Sequence, residues 1–187
     1  MGLREEKKRI TRKAISDLAT RLFVERGYDS VTTAEIARLA NVSVPTLFKY
    51  FPTKETLVFD EDAERESLLL NTVTGRKKRQ TICDALLGMG LRELDEIHVI
   101  HKKDAKAFLK MVNETPELKL FEESMWLRHE KVLASALKKE SKTKMSQTQA
   151  AAIARFVLDA FHRSVGATQP KATLKALFGL LKNGWRE

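Results

Sequence analysis

Between Thr32 and Lys54 the chain reads TTAEIARLANVSVPTLFKYFPTK, a stretch that permits two short helices joined at a fixed angle and little else. Thr32 is an N-cap residue with Glu35 three positions on, the pairing in which side chains satisfy two backbone amides left open at a helix start. The spacing predicts a helix from Thr33 to about Ala40, with Ile36, Ala37 and Ala40 on one face and Glu35 and Arg38 towards water. The small Ala37 and Ala40 let another helix approach closely. Asn41, Val42 and Ser43 then break the pattern, because Asn tolerates a left-handed backbone and Ser43 caps whatever follows. A second helix is expected from Val44 to Tyr50, with Pro45 in its first turn, where a missing amide hydrogen costs nothing. Leu47 and Phe51 face inward.

The outward set is Val44, Pro45, Thr46, Lys49 and Tyr50. Short groups of this kind suit base edges and thymine methyls in a major groove, and longer polar ones reach phosphates. A plain helical hairpin inside a bundle has the same local pattern, so the flanks decide. Upstream lies an amphipathic stretch from about Glu5 to Arg26 with Ile15, Leu18, Ala19, Leu22 and Phe23 at helical spacing, closed by Gly27 where a left-handed C-cap is expected. Downstream, Phe51-Pro52-Thr53-Lys54-Glu55 stops the second helix at Pro and offers Thr53 as the cap of a new one, with Lys54 in its first turn beside a phosphate backbone.

The run LFVERGYDSVTTAEIARLANVSVPTLFKYFPTKETL resembles the N-terminal domain of the tetracycline-repressor (TetR) family of bacterial transcription regulators, over about Ile10 to Val58. The features that carry the resemblance are a long helix ending in Gly-Tyr, a Thr-led second helix, the S-x-x-T-L-aromatic-x-x-F reader helix and the F-P-x-K-E-x-L entry to a fourth helix. It implies that Thr33, Thr46, Tyr50 and Lys54 fall on DNA-contacting positions, with Thr32 or Thr33 gripping phosphate. Two residues depart from the family's habit: Pro45 stands where Gly is frequent, and Phe48 where a Tyr commonly donates its hydroxyl to a phosphate. One such neutral hydrogen bond is worth about 1 kcal/mol, so its loss weakens one anchor only.

A length of 187 residues suits one reader module plus a larger domain, and 43% hydrophobic content can form a core. The expected division is 1–54 for the DNA-binding domain and 55–187 for the rest. The formal net charge is +9, and residues 1–54 hold 11 Lys or Arg against 6 Asp or Glu, which places positive charge where DNA would lie. Arg4, Lys7, Lys8, Arg9, Arg12 and Lys13 read equally as a basic arm tracking phosphates or as a solvated helix start. No apolar run approaches the ~20 residues of a membrane span. MGLREEKKRITRK lacks the apolar segment of a secretory signal, and the lone Cys83 argues against a disulfide framework, so a cytoplasmic location is expected.

Beyond Glu55 the pattern is helix after helix, giving an all-α fold of about nine helices with an N-terminal three-helix helix-turn-helix domain and a C-terminal bundle. Helices are expected over about 54–71, 80–96, 102–113, from Pro116 onward, 147–165 and 171–183, with Gly75-Arg76-Lys77-Lys78-Arg79 as a solvated loop. The resemblance implies that this second domain pairs two chains into a homodimer through its last two helices and holds a small-molecule effector. Ala151, Ala152, Ile153, Phe156, Val157, Ala160 and Phe161 cover more of a helix than one core needs, and Leu174, Leu177, Phe178 and Leu181 add a second stripe. Effector candidates are Phe108, Met111, Met125, Trp126, His129 and His162, adaptable or aromatic groups with a few polar partners. His98 and His101 with Asp95 have a metal-like spacing but flank a helix boundary, so neither metal nor cofactor is expected. Cys83 reads as a redox sensor or as packing.

No Ser-His-Asp, Cys-His or paired-carboxylate pattern supports an enzyme. The expected function is therefore a sequence-specific regulator on double-stranded DNA, a repressor of a pseudo-palindromic operator released by its effector. The competing reading is a helical small-molecule-binding protein with a degenerate DNA module, for which Pro45 and Phe48 are the hints.

Overall fold

The computed structural model describes residues 2–100 and 104–184, with side chains over 2–95 and 106–184. Among the described residues the chain is all-helical: α1 Leu3–Arg26, α2 Thr33–Leu39, α3 Val44–Tyr50, a 3-10 turn Glu55–Leu57, α4 Asp62–Thr74, α5 Ile82–Ile100, α6 Asp104–Glu114, α7 Pro116–Glu140, α8 Gln147–Val165 and α9 Pro170–Asn183. Two compact units result, one of Met1–Asp62 with Lys103–Glu123, the other of Ala63–Lys102 with Ser124–Glu187.

In the first unit, Ile15, Ala19 and Phe23 of α1 bury their stripe against Ile36 and Ala37 of α2 and Leu47 of α3, and Met111, Val112 and Leu118 complete the core from α6 and the start of α7. Gly27 ends α1 at φ 89 and ψ 143, a conformation that costs a side chain dearly and turns the chain sharply, while its amide still donates to Phe23 O at 2.9 Å. The basic N-terminal segment is part of α1 from Leu3 onward.

The fourth helix begins later than the sequence spacing predicts. Lys54 has helical dihedrals, yet only a 3-10 turn follows it, and α4 starts at Asp62. Thr53 does not cap; instead its amide donates to Thr56 Oγ1 at 3.3 Å, and that hydroxyl donates back to Thr53 O at 2.7 Å. The cause is burial. Leu57 and Val58 are driven into the first core, and Ser16 Oγ on α1 donates to Leu57 O at 3.0 Å. A regular helix through these residues would have to forgo that insertion.

The second unit is built on α5, α8 and α9, with Leu86 and Met89 against Ala154, Leu158 and Phe161, and Leu174 and Phe178. Ser146 and Gln149 form a full capping box at the start of α8, their amide-to-side-chain bonds measuring 3.1 and 2.9 Å. Arg65 and Glu93 tie α4 to α5 with paired bonds of 2.9 and 3.3 Å.

Two glycines of α5 differ instructively. A Cβ on Gly90 would lie 2.5 Å from Phe161 Cε1 and 2.9 Å from Leu174 Cδ2, so the close approach of α5 to α8 and α9 requires glycine there. At Gly88 the nearest atom would be an Arg92 nitrogen at 3.6 Å. Gly90→Ala is therefore expected to lower stability by about 1–2 kcal/mol through overpacking, whereas Gly88→Ala should raise it by up to about 1 kcal/mol. Chemical denaturation of the two variants checks both signs.

Candidate nucleic-acid interface

The turn that sets the reader helix is built from three local devices. Thr32 Oγ1 accepts from the Glu35 amide at 3.1 Å, Asn41 adopts φ 55, and Ser43 Oγ accepts from the Thr46 amide at 3.2 Å. The Val42 amide donates to Ala37 O at 2.9 Å, pinning the turn to the end of α2. The reciprocal half of the Thr32–Glu35 pairing is absent, because the Glu35 carboxylate receives Arg26 at 2.7 Å instead. This ion pair joins the ends of α1 and α2 and holds the Glu35 carboxyl below its ordinary range.

Around this turn the sequence candidates fall on one structural module. Thr32 is exposed and Thr33 half-buried at the start of α2; Val44, Pro45 and Lys49 are exposed on α3, while Thr46 and Tyr50 are half-buried beside them. Ser43 and Thr46 hydroxyls share a hydrogen bond of 2.7 Å, which orients Thr46 along the outer face. Two apolar groups join the same surface: Phe48, which the sequence marked only as a departure from Tyr, is 40% exposed, and Leu39, which it did not mark, is 44% exposed. Their exposure, with Val44 at 36%, leaves apolar contact area where a buried helix hairpin would have none. The departure from Tyr at position 48 was the available signal.

Lys54 and Arg12 are both turned to internal work. Lys54 Nζ donates to Tyr28 O at 2.6 Å and lies 4.1 Å from the Tyr28 ring centroid and 5.4 Å from that of Phe23. Burial pushes the Lys54 ammonium below its ordinary pKa, against the pull of Asp29, Glu55 and Glu117. Burial also raises the Tyr28 hydroxyl. Arg12, one of the residues offered as a phosphate-tracking arm, donates to Tyr50 O and, at 3.0 Å, to Asp60 O, with its guanidinium 4.6 Å from the Phe51 ring centroid. Neither the arm reading nor a simple solvated helix start describes Arg12. Its partners are 38 and 48 residues away, beyond local pattern.

The effector candidates fall in both units. Phe108 and Met111 pack in the core of the first unit. In the second unit Trp126 meets His129 and His162 edge-on, at 6.1 and 5.7 Å between centroids; His129 and Met125 are buried and His162 is exposed. A cavity of about 10 Å³ in the second unit is lined by other residues, among them Arg65, Gly90, Glu93, Phe161 and Ser164. That volume holds about one water. The His98 and His101 side chains lie outside the described residues. Cys83 is half-buried against the second core, and burial pushes its thiol upward, away from the thiolate a redox sensor needs.

The first unit is thus a helix-turn-helix module presenting a capped, partly apolar reader helix. Its sequence agrees: residues 15–60 match the family model described as "Bacterial regulatory proteins, tetR family". Among curated proteins, the chain is 28% identical over 130 residues to the putative mycofactocin biosynthesis transcriptional regulator MftR of Mycobacterium tuberculosis, covering 68% of this chain and 64% of that one. It is 38% identical over 100 residues to the uncharacterized HTH-type transcriptional regulator YvkB of Bacillus subtilis, covering 51% and 49%. The matches thus span about half to two thirds of these relatives' own lengths. Among solved structures, FadR of Thermus thermophilus, described as a TetR-family transcriptional repressor in complex with lauroyl-CoA, superposes with a TM-score of 0.61 at 23% identity, over 94% of this chain and 96% of that one. Over residues 15–60 the chain is therefore similar to the N-terminal region of that family's regulators.

One group beside the module titrates unusually. Burial raises the Asp60 carboxyl from its ordinary 3.8 to about 6, partly offset by the nearby charges of Lys13 and Arg12, with Glu61 adding to the rise. The neutral acid is the form the fold favours, so its stabilising contribution is complete below about pH 3.8 and lost as pH rises through about 6. Asp60→Asn should consequently stabilise the protein at pH 8 by on the order of 1 kcal/mol, discounted for the exposed part of the group. At pH 4 the gain should vanish. Thermal melts at the two pH values read the difference, and equal gains at both would rule out the titration as the cause.

Proposed function

We propose that the chain is a sequence-specific DNA-binding transcriptional regulator that acts as a homodimer. Each protomer lays α3 in a major groove, with the two reader helices on successive grooves of a pseudo-palindromic operator. The observation that carries this reading is the outer face of the module, where Val44, Pro45, Thr46, Phe48, Lys49 and Tyr50 stand on a helix whose angle is set by the Asn41 turn and the Ser43 cap. Short and apolar groups address base edges, and Thr32, Thr33, Lys49 and Lys54 address phosphates. Lys54 meets a phosphate as an ammonium already held by Tyr28, which lowers the entropy lost on contact.

Pairing is supported by apolar groups outside the second core on the last two helices, Phe156 on α8 and Leu180 on α9, and by the exposed parts of Ile153, Leu177 and Leu181, which also pack against that core. Phe161, by contrast, is committed to the second unit's own core. Two readers also multiply the affinity of one short helix. In this reading the protein represses in the cytoplasm, and a small-molecule effector, bound better by a non-DNA-competent arrangement, releases it. The liganded neighbour from Thermus thermophilus motivates that last element. Trp126, His129 and His162 are the described aromatic cluster at which to begin mapping effector binding.

The test is footprinting of the purified protein on DNA upstream of its own coding sequence, across several salt concentrations. A protected palindrome with a steep salt slope is expected. Lys49→Ala and Lys54→Ala should each weaken binding to every sequence and flatten the slope by about one, whereas Thr46→Ala or Tyr50→Ala should change which sequences are preferred. Sequence-indifferent binding in both upstream DNA and a randomised-sequence selection would overturn specific recognition.

A further inference from the structure

The largest concentration of positive charge is outside the reader. Residues 1–54 carry an excess of five positive charges, whereas residues 76–79 and 138–144 together carry eight Lys or Arg and one Glu, an excess of seven. With a net charge of +9 overall, the remainder of the chain is net negative by three. The two basic segments are about sixty residues apart in sequence, and the fold joins them: Arg76 donates to Glu140 Oε2 at 2.9 Å and to Glu140 O at 3.1 Å. The single acid of the cluster is thereby neutralised.

Part of this charge has a local structural purpose. Arg76, Lys138 and Lys139 lie at the ends of α4 and α7, where cations offset the helix dipole within the last turn. Lys77, Lys78, Arg79, Lys142 and Lys144 lie beyond those turns. All five are exposed, and none forms an ion pair among the described residues. The Gln80 amide donates to Lys77 O at 2.9 Å, which makes residues 77–80 a tight turn with Lys78 and Arg79 at its corner. The Thr143 amide donates to Ser141 Oγ at 3.2 Å, ordering the second loop between Lys142 and Lys144. At 3.8 Å per residue the five lie within roughly 15 Å along the chain of the Arg76–Glu140 link. Like charges this close, compared with a Debye length of about 8 Å, repel one another in the free protein and are relieved by a polyanion.

We infer that this surface of the second unit binds the phosphate backbone of duplex DNA, separately from the reader helix. Duplex DNA offers a negative charge about every 1.7 Å of its axis, matching a dense patch of flexible ammonium and guanidinium groups. The two loops expose no aliphatic or aromatic side chain, so they lack the apolar wedge with which interfacial segments enter a membrane. The choice of DNA among polyanions rests on the reader proposed above; the patch itself does not.

The test compares the full-length parent with a variant in which Lys77, Lys78, Arg79, Lys142 and Lys144 are each changed to Gln. Binding to a duplex without an operator is measured between about 50 and 200 mM salt. The variant should lose tenfold or more in affinity, and its log–log salt slope should fall by about four, at ~0.9 per phosphate released. An operator footprint retained by the variant separates the patch from the reader, and the same slope change without any operator footprint in the parent would refute the reader while sustaining the patch. Should the five-fold variant melt early, the loop pair Lys142→Gln and Lys144→Gln gives the same reading with a slope change of about two. An unchanged slope overturns the inference. So does a loss confined to vesicles of mixed phosphatidylglycerol and phosphatidylcholine with DNA binding intact.

Discussion

The guanidinium of Arg12 holds the reader module to its scaffold. From the middle of α1 it reaches the last carbonyl of α3 and the carbonyl of Asp60, and it lies on the ring of Phe51 between them. A helix C-terminus carries unsatisfied carbonyls and partial negative charge, so a delocalised, weakly hydrated cation is well suited to sit there in a half-buried site. The consequence is positional. The end of the recognition helix and the segment leading to α4 are fixed to the same side chain, so neither can move without disturbing the other.

The same anchoring extends along α1. Ser16 donates to Leu57 O from the turn of α1 that follows Arg12, and Leu57 and Val58 plug the first core just ahead of α4. Arg12 and Ser16 thus fix the carbonyls of Tyr50, Leu57 and Asp60 to one helix.

The same module shows how polar side chains around the proposed DNA-facing surface divide their labour. Glu35 gives up half of a capping box to bind Arg26, and Lys54 keeps its ammonium over two aromatic rings. Both choices stiffen the platform. What α3 itself presents outward is short, neutral or apolar, apart from Lys49, which fits the proposed reading of base edges by a surface whose geometry is set in advance. The densest positive charge lies instead in the second unit, where Arg76 and Glu140 join two basic segments.

Much of this was written in local sequence. The limits of α2, α3 and α8, the Asn41 turn, and the Ser43 and Ser146 caps follow from which residues can satisfy free amides or tolerate a positive φ, and those requirements act over three or four residues. The family resemblance was legible for the same reason. Tertiary structure alone decided the late start of α4, because burial of Leu57 outweighed helix propagation; the internal employment of Arg12 and Lys54, because their partners lie 26 to 48 residues away; and the packing of Phe108 and Met111 in the core of the first unit. It also merged two basic loops that the sequence presents as unrelated. Capping and periodicity are nearest-neighbour effects, whereas burial and charge depend on what distant segments bring into reach.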